Sequence, residues 1–172
     1  LVSKMKVPEK VEDDTPEGEA ARGELAQYLL ENLPELFGAE GIQLGARYDG
    51  SPLIDHAGET PPVDDPAGYA PTACPGGRAP HFWLSNGQAL YDDFGEGFTL
   101  LRFDSETDVS GFEAAAQKRG VPLKVLDIDE PKGRALYEKN LVLIRPDQHV
   151  AWRSETPPSD PNALIARVTG AA

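Results

Sequence analysis

The sequence predicts a mixed α/β domain in the second half of the chain, preceded by a helix-strand arm and a Pro/Gly-rich docked segment. Three observations lead there. After Phe98, short apolar or alternating runs of strand length recur. Helix start and stop signals fall between them. Between Asp49 and Gly97 the composition shifts, with seven prolines and eight glycines, too many for continuous helix or central strand.

The first fifteen residues are polar and charged without apolar periodicity, and read as a flexible arm. A helix should begin at Thr15, with Thr15 as N-cap, Pro16 at the first helical position and Glu17 and Glu19 matched to the dipole. Leu25, Tyr28, Leu29, Asn32, Leu33 and Leu36 follow helical spacing, and Pro34 should end or kink the helix. Ile42 to Tyr48 reads as a short strand with Ile42, Leu44 and Ala46 on one face. Asp55 to Gly68 suits a solvated linker. The aromatic residues that follow, from Tyr69 to Phe94, point instead to an extended segment docked on a neighbouring surface. Within it, Ser85-Asn86-Gly87-Gln88 predicts a hairpin turn whose Asn-Gly pair supplies positive φ angles.

From Phe98 the signals are regular. FTLLRF is a buried strand, and Ser110-x-x-Glu113 is a capping box opening a helix with Phe112, Ala115 and Ala116 on one side. Lys118, Arg119 and Gly120 close that helix. Leu123 to Leu126 is a second strand, and Pro131 to Lys139 a short helix. Leu141 to Arg145 and His149 to Arg153 flank Pro146-Asp147-Gln148 as an antiparallel hairpin. Alternation places Val150 and Trp152 inward and His149, Ala151 and Arg153 outward. Asp160 and Pro161 start a last helix with Leu164, Ile165 and Val168 as its buried stripe. The order βαβαββα is that of the thioredoxin fold, with the first two strands parallel and the final hairpin antiparallel. Several folds share parts of this order. Phe98 to Gly170 is the expected independently stable unit.

With 172 residues, the chain has room for one ordinary domain, or a small domain plus an arm. It contains no run of about 18 apolar residues, and its basic start lacks the apolar core of a secretion signal, so a cytoplasmic location is expected. A net charge of −13, with no basic stripe, argues against nucleic acid as a partner.

The chemistry-bearing residues are sparse. Cys74 has no partner for a disulfide or a redox pair. The loop after the first core strand, where a redox-active thioredoxin domain carries its cysteines, is Asp104-Ser105-Glu106-Thr107-Asp108. His56, His81 and His149 lack metal-ligand spacing; His81 suits a structural bond to a backbone carbonyl, and His149 an exposed hairpin position. Asp92-Asp93 and the acids from Asp127 to Glu130 lack a Ca²⁺-loop pattern. Gly95-Glu96-Gly97 is not followed by a helix, so it is not a dinucleotide loop. Trp83 and Trp152 read as core.

Three separated motifs carry a family resemblance: GIQLGARYDGSPLI from Gly41, PGGRAPHFWLSNGQALYDDFGEGFTLL from Pro75, and LVLIRPDQHVAWR from Leu141, with Gln148 where glycine is usual. The chain resembles the carboxyl-terminal region of FAD-dependent aromatic-ring hydroxylases of the phenol and hydroxyphenylpropionate monooxygenase type. That resemblance implies a thioredoxin-like carboxyl-terminal domain. It also implies a parent enzyme that inserts one oxygen atom of O₂ into a phenolic ring, with FAD as cofactor and NAD(P)H as reductant. The cofactor and catalytic motifs of such enzymes lie in their amino-terminal FAD and substrate domains, so no catalytic, cofactor or metal residue is assigned here. The expected organisation is a flexible arm at 1–15, a helix plus strand joining to the flavin domains at 16–54, a Pro/Gly-rich linker at 55–80 and the thioredoxin-like domain at 81–172. Arg47, Tyr48, Arg78, His81 and Trp83, polar-apolar hybrids in irregular segments, are the expected domain-junction residues. For Trp83, completing the core of its own domain remains the alternative. The expected partners are the FAD and substrate domains of the same polypeptide, with a homodimer left open. The competing function is a stand-alone, redox-inactive thioredoxin-like module that binds a protein.

Overall fold

Helix α1 (Pro16–Phe37) opens where Thr15 predicts it, the Thr15 hydroxyl accepting the Gly18 N–H at 3.1 Å. The computed structural model describes residues 7–171, the side chains of 33–37 excepted. The first six residues of the expected arm, and the side chains of Leu33 and Leu36, lie outside the described residues. Residues 8–14 turn back on α1, where Arg22 Nη1 donates to the carbonyls of Val11 (3.1 Å) and Asp13 (2.9 Å). Pro34 does not end the helix, which continues to Phe37. A proline removes only its own N–H bond, and the remaining bonds carry the helix across it.

The expected strand at Ile42–Tyr48 does not form. Glu40–Leu44 is a short helix, α2, and Ile42 is 64% exposed. Gly41 is pressed against the Asp65 carbonyl, where a Cβ would stand only 1.7 Å from the oxygen. An alternating segment also needs a free sheet edge, and the nearby edge is already taken, as described below.

The domain proper runs β1 (Phe98–Arg102), α3 (Ser110–Lys118), β2 (Leu123–Asp127), α4 (Pro131–Tyr137), β3 (Leu141–Ile144), β4 (Val150–Ser154) and α5 (Pro161–Thr169). The sheet order is β2-β1-β3-β4, with β1 and β2 parallel and the other neighbours antiparallel. This is the thioredoxin-like βαβαββα arrangement. Asp160 caps α5 as expected, its carboxylate accepting the Ala163 N–H at 3.0 Å. The capping box at α3 is displaced: Ser110 is already helical, and Asp108 accepts the Ser110 N–H at 2.9 Å. A shorter acid two residues earlier reaches the same turn that Ser110 was expected to cap.

Apolar side chains cover both faces of the sheet. On one, Phe98, Leu100, Leu141, Leu143 and Trp152 meet Phe112 of α3 and Leu164, Ile165 and Val168 of α5. On the other, Leu101, Val142, Ile144 and Val150 meet Tyr137 of α4 together with Ala73, Ala79 and Leu90 from the upstream segment. Val150 and Trp152 therefore face opposite ways, contrary to simple alternation. The register shifts between Leu143 and Ile144, which pair with Trp152 and Val150, so Ala151 is the extra residue of a β-bulge. Ala151 and Arg153 are buried rather than outward.

Upstream chain covers the free edge of β4. Asp55 N–H donates to Ala151 O (2.8 Å), Gly76 N–H to Val150 O (2.8 Å), Val150 N–H to Gly77 O (2.9 Å) and Ala79 N–H to Gln148 O (2.8 Å). Covering an edge in this way removes a template for aggregation. Arg153, 6% exposed, anchors the strap. It holds Glu59 by two parallel bonds, Nε–Oε1 at 3.0 Å and Nη2–Oε2 at 2.6 Å, and its Nη1 donates to Tyr137 O (3.0 Å) and Glu138 Oε2 (2.9 Å). Burial works against the Arg153 charge, but the Glu59 bond and the two carboxylates together raise its pKa.

Candidate functional site

The expected junction residues fall in two neighbouring groups on the surface formed by the upstream segment. Arg78, His81 and Trp83 come together. Arg78 follows Gly76-Gly77 out of the segment bonded to β4, and its guanidinium carbon lies 5.6 Å from the Tyr91 ring centre. His81 packs edge-on between Tyr91 (5.5 Å) and Trp83 (5.2 Å). This aromatic contact, rather than the expected bond to a carbonyl, orients its ring. Trp83 is 69% exposed, so it is not a core residue of the described chain. Its backbone pairs with Ala89 across the predicted hairpin turn, in which Leu84 N–H donates to Gln88 O at 2.9 Å. Only Gly87 of the Asn-Gly pair has positive φ, because the three-residue loop needs one left-handed residue rather than two.

Arg47 and Tyr48 leave α2 in the second group. The Arg47 guanidinium holds Asp49 (Nε–Oδ1 3.1 Å, Nη2–Oδ2 2.9 Å), the Pro62 carbonyl (2.6 Å) and, at 3.7 Å, Asp64. The Asp49 bond is the main reason its pKa rises. Tyr48 N–H donates to Gly76 O at 2.9 Å, while its ring lies 4.5 Å from His149 and beneath Arg145. His149 is thus half-buried rather than exposed, its Nδ1 within 2.9 Å of Asp147 O.

A cleft joins the groups. Arg47, Asp64, Tyr69 and Arg78 line one part, and Leu44, Tyr69, Arg78, His81 and Tyr91 the adjoining part. Burial pushes the Tyr69 and Tyr91 phenols up, with Arg78 opposing the shift in each case. The Tyr91 hydroxyl donates to Ala79 O, and that of Tyr137 to Pro80 O at 2.7 Å, so both phenols pin the segment bearing Arg78. Sequence reasoning missed Tyr69, Tyr91 and Leu44 as lining residues. Only the need of these aromatics for an apolar neighbour was visible in advance.

Cys74 is buried, and burial pushes its thiol up, away from the reactive thiolate. The loop 104–108 is used for capping, Asp104 and Asp108 each accepting a backbone N–H. Among the described residues, no group of three or more His, Cys, Asp or Glu side chains could hold a metal ion. The described residues do not fit a flavin dinucleotide either. Its phosphates call for a glycine-rich turn entering a helix N-terminus, whereas Gly95 and Gly97 lead into β1 and Gly76-Gly77 into backbone bonds with β4. No helix among the described residues is long and apolar enough to cross a membrane.

Comparison with known proteins supplies what geometry alone does not. Residues 72–172 match the family described as aromatic-ring hydroxylase, C-terminal. The FAD-dependent monooxygenase opdD of Penicillium oxalicum is 32% identical over 143 residues, which cover 78% of this chain and 26% of that protein. The phenol 2-monooxygenase of a Pseudomonas species is 29% identical over 171 residues, covering 89% of this chain and 28% of that one. The structure of the rebeccamycin biosynthetic enzyme RebC with reduced flavin superposes with a TM-score of 0.80 at 38% identity, over 97% of this chain and 31% of that one. The flavin-dependent monooxygenase PieE, in complex with FAD and substrate, superposes with a TM-score of 0.68 at 30% identity, over 95% of this chain and 31% of its own. The chain thus spans between a quarter and a third of the length of these relatives. The match over the whole sheet domain, with RebC superposing on nearly all of the chain, shows that the protein belongs to the aromatic-ring hydroxylase C-terminal family.

Proposed function

We propose that this chain is the non-catalytic carboxyl-terminal domain of a cytoplasmic, FAD-dependent aromatic hydroxylase that uses NAD(P)H and O₂ to hydroxylate a phenolic ring. Its role is to position and stabilise the FAD and substrate domains of the same polypeptide, which are its partners. The division into an arm at 1–15, a joining segment at 16–54, a linker at 55–80 and a terminal domain at 81–172 belongs to this reading. So does the assignment of Arg47, Tyr48, Arg78, His81 and Trp83 to the junction.

The observation that carries the proposal is the position of Trp83: a large aromatic ring, 69% exposed, beside a histidine that lines the Arg78 cleft, on a surface that no described part of this chain covers. Aromatic and arginine side chains are the usual anchors of interfaces. Replacing Arg78 and His81 by alanine in the full-length enzyme should lower the melting temperature or loosen the domains, while sparing turnover per folded, flavin-loaded molecule. A fall in turnover of about a thousandfold with flavin content and stability intact would put these residues in the active site. Titrating the purified 172-residue chain with FAD should leave the flavin fluorescence unchanged, and a stoichiometrically yellow protein would sink the division of labour.

A further inference from the structure

Among the described residues, the charge on Arg78 meets no carboxylate. Acids outnumber bases by 29 to 16, and Arg22, Arg47, Arg102, Arg134, Arg145, Arg153 and Arg167 each hold a carboxylate. Among the arginines of the described residues, only Arg78 and Arg119 have no carboxylate within ion-pair distance. Arg119 stands exposed at the end of α3, where its charge meets solvent and the negative end of the helix. Arg78 is half-buried in the cleft. Its backbone is fixed by the strand-like bridge to His149 and its guanidinium is held over Tyr91. Of the two acids lining the cleft, Asp64 is drawn to Arg47 at 3.7 Å, and Asp65 accepts the Ala67 N–H at 3.0 Å. The walls next to the guanidinium are Leu44, Pro71, Ala89 and the two tyrosines, and Trp83 stands beside His81 at the rim.

A half-buried guanidinium held over Tyr91 in a largely apolar cleft, with no carboxylate among the described residues, is left without an ion-pair partner. A planar, bidentate acceptor matches it best, and a carboxylate has that geometry. The apolar walls and the exposed indole add that the group next to the carboxylate should be apolar. We infer that the Arg78 cleft receives an aspartate or glutamate side chain, flanked by an apolar residue, from the amino-terminal part of the same polypeptide. This inference rests on the domain-junction reading above and adds the chemistry of the docking contact. Arg47 takes no part in that ion pair, since its bonding fork is already closed by Asp49 and Pro62.

The test is a zero-length carbodiimide crosslink in the full-length polypeptide carrying Arg78→Lys, with Arg119→Lys as the control. The amine introduced at position 78 should form an amide with a carboxylate of the amino-terminal part, found by mass spectrometry as a peptide joined to residues 72–84. The control should give no such product. A second variant, Arg78→Glu, should speed amide exchange over residues 81–91 by about tenfold, with β1 and β3 unchanged. Coupling to an acid within residues 7–171, or to a second copy seen as a crosslinked dimer, overturns the inference. So does the absence of any crosslink while residues 81–91 stay protected, an outcome that leaves the junction reading standing. If that face exchanges as freely as an open loop even before substitution, the junction reading fails, and the inference falls with it.

Discussion

Arg153 illustrates how much of this fold hangs on single side chains. Its guanidinium is almost wholly buried, and it ties β4, the end of α4 and the strap around Glu59 together. Removing one partner of such a pair leaves the other charge desolvated, so Glu59→Ala should cost about 3 kcal/mol in denaturant melts. A loss below about 0.5 kcal/mol would mean Glu138 alone satisfies the arginine. Gln148 makes the opposite case. It sits at φ 66°, a left-handed position that a side chain occupies at a cost, at the turn of the β3–β4 hairpin. Gln148→Gly relieves that strain and should stabilise by about 0.5–1 kcal/mol, net of the extra freedom glycine gives the unfolded chain.

At the scale of elements, the β-bulge at Ala151 matters most. It turns Trp152 toward α3 and α5, where its ring lies 5.5 Å from Phe112, and leaves Val150 on the face covered by the upstream segment. Trp152→Ala should cost about 3–5 kcal/mol, the range for a buried large aromatic. Helix α4 packs through Gly133, where an added Cβ would stand 2.5 Å from the Phe82 ring. In an exposed helix Gly→Ala would gain about 1 kcal/mol. Here overpacking reverses the sign, and Gly133→Ala should lose about 1–2 kcal/mol net. Equal or greater stability in thermal melts would show that Phe82 moves aside freely.

The whole molecule depends on its upstream segment. Because Ala73, Ala79 and Leu90 complete the second face of the sheet, Phe98–Gly170 alone would leave Leu101, Val142, Ile144 and Val150 covered chiefly by Ile128 and Tyr137 and partly bare. This packing revises the expectation of independent stability: the truncated fragment should bind a hydrophobic dye and aggregate, whereas the chain retaining residues 49–97 should not. The alkaline limit belongs to the same packing. Burial raises the Cys74 thiol from 9.0, and the Tyr69, Tyr91 and Tyr137 phenols from 10.0. Above those values the unfolded chain loses protons that the folded one keeps, so stability falls as pH rises from about 9 upward. A melting temperature that held steady from pH 8 to 11 would contradict this. At the acid end, the Arg102 bond holds Asp127 below 3.8, so its contribution is present above that value and is lost as pH falls through the lowered one.

The thioredoxin-like domain could be read from sequence because its information is local: Asp160-Pro161 before the last helix, Gly120 after α3, and apolar runs of strand length. Family membership was legible for the same reason, in three motifs that keep their order. The tertiary structure alone decided which edge and which face each run would meet. Ile42, Leu44 and Ala46 alternate as a strand should, yet become a short helix and its flank, since the edge of β4 was already bonded to residues 55 and 76–79. Val150 and Trp152 share a parity but not a face, since pairing with β3 inserts Ala151. Tyr69 and Tyr91 became walls of the Arg78 cleft only through contacts across tens of residues, which no local pattern encodes. Propensity and capping act within a few residues of one another; register, edges and clefts are set by what packs from far away.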